Sequence, residues 1–203
     1  MQPTRREMLA SAFALPLSLT SQQIIHDGTL LSEESARGFR LLLRKVNAPF
    51  IILPAAQTIS WPLAFRLRHA ARAGRWVLIE SGLCFEAASK WQQLSRVLRE
   101  AFHVEIAAPV QVRDPYIRFE WPERTLVRTF EAVTPVTCAP TELIAQLNGI
   151  PTAARRSMGR GGVIFLGSML GPALAADERE AHAVGSQILR KSFRRYIQNS
   201  TSQ

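Results

Sequence analysis

At 203 residues, 47% apolar and 20% charged, the chain has the composition of a folded protein with one full-sized core, and it needs no staples. No run reaches the ~20 apolar residues of a membrane span. The formal charge of +9 points toward nucleic acid, anionic surfaces or acidic ligands, but Arg37, Arg40, Arg44, Arg66, Arg68, Arg72, Arg96 and Arg99 recur at helical spacing among apolar positions. That is the pattern of solvated helix faces, not of a nucleic-acid groove with interleaved aromatics.

Residues 1–21 are read apart from the rest. Thr4, Arg5 and Arg6 precede an apolar stretch from Met8 to Leu19 that Pro16 interrupts, which resembles a twin-arginine export signal. The resemblance implies a periplasmic protein, with the cytoplasm as the alternative; small residues of a cleavage site fall early, at Ala12 and Ala14. Cys84 and Cys138 fit either compartment, as one disulfide if exported or as two small buried side chains if not. His26, His69, His103 and His182 are isolated, so neither a metal nor a cofactor is expected.

QQIIHDG, residues 22–28, predicts a short buried strand ending at His26, Asp27 and Gly28. Ser32 as N-cap, with Glu33 and Glu34 in the first turn, starts an amphipathic helix with Ala36, Phe39, Leu43 and Val46 on one face. PFIILPA predicts a second strand stopped by Pro54. Ser60 caps the next helix, which Gly74 ends, and RWVLIE is the third strand. From Glu86 to Phe102 the spacing predicts a long helix. Short alternating segments over 103–140 predict antiparallel strands, with Ile117, Phe119 and Trp121 on one side of YIRFEW and Tyr116, Arg118 and Glu120 on the other. Asn148-Gly149 marks a hairpin, VIFLGS a buried strand, and Ala173 to Arg195 a final helix; residues 196–203 are a polar tail. Trp61, Trp76, Trp91 and Trp121 fall at core-like positions.

Strands apolar on both faces and alternating with helices predict an α/β fold, a flavodoxin-like three-layer sandwich with a mainly parallel sheet and a β-rich insertion. Ligands of such sheets sit beyond the carboxyl ends of the strands. The candidate binding residues are therefore Asp27, Gln57, Glu80 and Ser81, with Ser168 after VIFLG.

The order FIILPAAQTIS, helix, AGRWVLIESG, long helix, β-rich insertion, then IAQLNGIPTAARRSMGRGGVIFLGSMLG resembles the class I glutamine amidotransferase-like fold over residues 22–190. It is most similar to the branch that forms the trimerisation domain of some bacterial β-galactosidases. Ala73-Gly74-Arg75 and Gly159-Arg160-Gly161-Gly162 fill that branch's turns. The resemblance implies a homo-oligomer and a carbohydrate or protein partner. Catalytic members of the wider fold carry a Gly-x-Cys-x-Gly elbow after the third strand; here Ser81 takes the nucleophile position, while Ile79 and Leu83 replace the glycines. The partner histidine is replaced in the stretch Leu166, Gly167, Ser168. A displaced pair, Ser81 or Cys84 with His26, is the enzymatic alternative. A non-catalytic binding or assembly module is the leading expectation, and nucleic-acid binding the third.

Overall fold

The computed structural model describes residues 22–26, 28–46, 49–81, 88–113, 116–128 and 132–200, with side chains as far as 192. The leader, Asp27, Cys84 and residues 201–203 lie outside the described residues. Among the described residues twelve strands and five α-helices follow in chain order: β1 (Gln23–Ile24), α1 (Leu30–Lys45), β2 (Phe50–Ala56), α2 (Trp61–Arg72), β3 (Trp76–Ser81), α3 (Ala88–Phe102), β4 (Glu105–Ile106), β5 (Val110–Gln111), β6 (Tyr116–Phe119), β7 (Thr125–Arg128), β8 (Ala132–Val133), β9 (Val136–Thr137), β10 (Leu143–Leu147), β11 (Ile150–Met158), β12 (Gly161–Leu166), α4 (Gly171–Ala175) and α5 (Arg179–Ser200).

The main sheet is mixed α/β architecture, ordered β1-β2-β3-β12-β11-β10-β6-β7. The first four strands run parallel, and the rest pair antiparallel through hairpins. Strand alternation divides the core in two. Phe50, Ile52, Leu78, Ile164 and Leu166 face Phe39, Leu42, Leu174 and Ile188 of α1, α4 and α5. Ile51, Leu53, Val77, Ile79, Val163 and Phe165 face Leu67, Leu94 and Leu98 of α2 and α3. Each such side chain contributes roughly 1.5–3 kcal/mol relative to exposure. Because β1, β2 and β3 step the same way across the sheet while α1 and α2 cover opposite faces, the two crossovers differ in hand. One therefore departs from the right-handed preference.

Several local expectations are corrected. Thr29, not Ser32, caps α1: its Oγ1 accepts from the Ser32 amide at 3.3 Å. Pro54 does not end β2, because the ladder to β3 shifts between Leu53 and Ala56 and Ala55 turns to φ 46°; a missing N–H is tolerated at such an irregularity. β1 is half-buried. The last helix is two helices, α4 and α5, separated at Asp177 with φ 57°, and α5 extends to Ser200. Only Trp76 among the tryptophans is fully buried; Trp61, Trp91 and Trp121 pack half-buried against the clusters.

The β10–β11 turn is as expected, with Asn148 at φ 49° and Gly149 at φ 84°, a conformation that favours Asn-Gly. Gly149→Ala is expected to lower stability by about 1 kcal/mol, since a side chain there meets open space and only the left-handed backbone resists it. Chemical denaturation checks this.

Candidate functional site

The carboxyl ends of β2, β3 and β12 converge where the α/β pattern places a ligand. Parity decides what points where. On β3, Val77, Ile79 and Ser81 share one face, and Trp76, Leu78 and Glu80 share the other, so Glu80 enters the layer of α1 and α4. It is 0% exposed. Its Oε1 accepts from the amides of Leu170 (2.6 Å) and Gly171 (2.7 Å) at the start of α4. Its Oε2 accepts from the Ala55 amide at 2.9 Å and from the Ser35 hydroxyl of α1.

Burial pushes the Glu80 carboxyl above the ordinary carboxylate range, and the four hydrogen bonds from Ser35, Gly171, Ala55 and Leu170 pull against that rise. A carboxylate has about four acceptor positions. Here protein donors occupy all of them, so no lone pair remains for a substrate hydroxyl or a water.

Ser81, 1% exposed, lies on the opposite face with its Oγ 2.9 Å from Thr134 Oγ1. Thr134 is itself tied to the end of β12: its amide donates to Gly167 O at 2.6 Å, and the Gly167 amide donates to Thr152 O at 2.7 Å. Gln57, 8% exposed, accepts from Lys90 Nζ at 3.5 Å. Ser168 is half-buried after the end of β12.

His26 lies elsewhere. It is exposed, and Arg40 Nη2 is 3.4 Å from its Nε2. Because β2 separates β1 from β3, two strand spacings, or roughly 10 Å, divide the backbones bearing His26 and Ser81. His182 meets Asp177 Oδ1 at 2.9 Å, and His69 and His103 are exposed. Among the described residues no group of three or more His, Cys, Asp or Glu could hold a metal ion, and no helix is long and apolar enough to cross a membrane.

The structure thus brings Gln57, Glu80, Ser81 and Ser168 to one end of the sheet and adds three participants that the sequence did not single out: Ser35, Thr134 and the amide pair of α4. Ser35 carried a signal, since it is a polar residue on the buried side of α1. Thr134 carried none.

A second polar cluster is peripheral. Arg156 of β11 holds Glu142 through Nε (3.1 Å) and Nη2 (3.0 Å), and that contact, chiefly, holds the Glu142 carboxyl below its usual range. Its contribution is expected to be present above the ordinary Glu pKa and lost as pH falls through the lowered value. At partial exposure it amounts to less than about 1 kcal/mol. Urea midpoints of the wild type and Glu142→Gln should converge on acidification.

No family model and no curated protein sequence matches the chain. Solved structures share its fold. A β-galactosidase from Bacillus circulans sp. alkalophilus superposes with a TM-score of 0.59 at 10% identity, covering 90% of this chain and 31% of that one. An α-L-fucosidase, isoenzyme 2, from Paenibacillus thiaminolyticus does so at 0.59 and 11%, covering 88% and 33%. A cytoplasmic protein from Salmonella typhimurium LT2 matches at 0.59 and 12%, covering 85% of this chain and 99% of that protein. The chain spans about a third of the two enzymes, and at these identities the likeness is one of fold.

The chain thus shares its fold with a domain-sized part of these chains, and the neighbours include glycoside hydrolase family 42 β-galactosidases. This agrees with the β-galactosidase branch of the sequence resemblance. The amidotransferase relationship itself rests on sequence alone.

Proposed function

We propose that the chain is a non-catalytic binding or assembly module of flavodoxin-like, amidotransferase-related design, serving carbohydrate recognition or a carbohydrate-active assembly. The observation that carries this reading is Glu80. Among the described residues Glu80 is the carboxylate at the ligand end of the sheet, and it is consumed by four internal hydrogen bonds and tethers four segments of the fold. Ser81 is engaged with Thr134 and two strand spacings from His26, so among the described residues no histidine stands beside it as the base a serine nucleophile uses. Support for a carbohydrate setting comes from the activities of the fold neighbours, a β-galactosidase, an exo-β-1,4-mannosidase and an α-L-fucosidase. These match over a domain-sized part of each chain, and fold alone transfers no reaction.

The test is turnover. Chromogenic galactosides, mannosides and fucosides and glutamine should all be left unchanged by the purified chain. Hydrolysis of any of them that disappears in Ser81→Ala, Cys84→Ala or His26→Ala, with the variant folded, would replace this reading by the hydrolase one. Nucleic-acid binding that weakens steeply with salt would favour the third reading. The Thr4-Arg5-Arg6 leader adds export to the proposal: fractionation should place the protein in the periplasm, and retention in the cytoplasm after Arg5→Lys with Arg6→Lys would trace export to that pair.

A further inference from the structure

The two core clusters do not extend equally across the sheet. The one under α1, α4 and α5 continues to the last strand, through Ile144 and Leu147 of β10, Ile117 and Phe119 of β6 and Val127 of β7. The one under α2 and α3 reaches only β11, through Ala154 and Met158. Among the described residues, no helix covers the second face of the sheet beyond β11.

Strand register arranges what this bare face presents. Arg118 of β6 stands between Leu126 of β7 and Gln146 of β10, and Tyr116 stands opposite Arg128. Tyr116 is 51% and Leu126 57% exposed. With Asn148 and Gly149 of the hairpin turn they line an open cleft of ≈ 390 Å³, within the ~300–1,000 Å³ usual for small-molecule sites. Glu120 orients the polar members, accepting from Gln146 Nε2 at 2.7 Å, Arg118 Nε at 2.6 Å and Arg124 Nε at 3.1 Å. Arg118 and Arg124 thus share a single carboxylate, and Arg128, in register with Tyr116 at the other end of the hairpin, adds a third cation among the described residues.

We infer that this cleft binds an acidic saccharide, one carrying uronate carboxylates. The Tyr116 ring and Leu126 supply a flat apolar platform for the C–H face of a sugar ring. Gln146 and Asn148 supply amide donors and acceptors for hydroxyls. Arg118 and Arg128 match the charge and planar geometry of a carboxylate. A second copy of the chain fits less well: antiparallel pairing of β7 with itself about Leu126 would set Arg124 against Arg128 on both sides, and opposed like charges protect an edge strand from such pairing.

The inference rests on the carbohydrate reading above and names its site. The test is an amide-resolved NMR titration of the full chain with oligogalacturonate and with a neutral galacto-oligosaccharide of equal length. The acidic ligand should shift Tyr116, Arg118, Gln146 and Asn148 and bind more tightly than the neutral one. Tyr116→Ala should weaken it about tenfold, and Arg128→Gln should reduce the preference for acid. Both residues are exposed, so both variants should keep the wild-type fold. Saccharide binding that shifts other residues and survives Tyr116→Ala would overturn this site and leave the carbohydrate reading standing. Absence of binding by either saccharide would remove both. Shifts of the β7 edge that depend on protein concentration alone would assign the face to a second copy and overturn the inference.

Discussion

Glu80→Ala is expected to destabilise the protein by about 3–5 kcal/mol, the cost of stripping a buried polar cluster of its acceptor. The amides of Ala55, Leu170 and Gly171 and the Ser35 hydroxyl all lose their partner at once. Each buried orphan costs ~1–3 kcal/mol before the site relaxes. Against a typical total of about 5–15 kcal/mol, such a loss removes much of the margin. Glu80→Gln should be milder: its Oε1 can keep the Leu170 and Gly171 amides and its Nε2 can donate to Ser35, but Nε2 cannot accept from Ala55. Ser35→Ala removes one donor of four and should cost about 1 kcal/mol. The ranking Ala worse than Gln, and Gln worse than Ser35→Ala, is read from urea midpoints at unchanged slope. A Glu80→Ala variant as stable as the wild type would show that the carboxylate is not the tether described here.

The second large effect concerns how closely α1 lies against α4. A Cβ on Gly38 would stand 2.0 Å from Gly171 O and 2.8 Å from Ala175 N, and one on Gly171 would stand 1.9 Å from Ser35 Oγ. Alanine gains about 1 kcal/mol over glycine in a helix interior, but overpacking against backbone costs about 1–3 kcal/mol or more. The clash should win, because its relief requires moving α4, whose first amides bind Glu80. Gly38→Ala is therefore expected to lose a net ~2 kcal/mol. Gly185→Ala in α5 is the control: its new Cβ would meet Leu42 Cδ2 at 2.8 Å, the movable end of a side chain. It should be close to neutral by thermal melting.

Much of the fold can be read from local pattern. The apolar runs of β2, β3 and β12, the periods of α1 to α3 and the Asn148-Gly149 turn each announce themselves within about ten residues. What failed was local ambiguity or missing punctuation. Thr29 and Ser32 are both good cap residues three apart, and the structure uses the first. The break between α4 and α5 falls in Ala175-Ala176-Asp177-Glu178, where neither Gly nor Pro warns of it. Pro54 is a valid stop signal overridden by an irregular ladder.

The site was legible in position and illegible in role. That Glu80 and Ser81 lie at the ligand end of a strand follows from order and parity. That Glu80 is saturated does not, because its partners come from 45, 25 and 90 residues away in sequence. Thr134, which meets Ser81 from 53 residues away, belongs to short strands whose packing no periodicity encodes. The cleft on β6, β7 and β10 was half visible: the outward set Tyr116, Arg118 and Glu120 was readable, but its exposure depends on where α2 and α3 stop covering the sheet.

The central claim, that the carboxyl end of the sheet is tied up internally and is not a reaction centre, is tested most directly by intact-mass analysis of the folded protein after exposure to a serine-reactive fluorophosphonate. The account predicts an unmodified mass, since Ser81 is buried against Thr134 with no histidine beside it. A stoichiometric adduct that maps to Ser81 and is lost in a folded Ser81→Ala variant would contradict it.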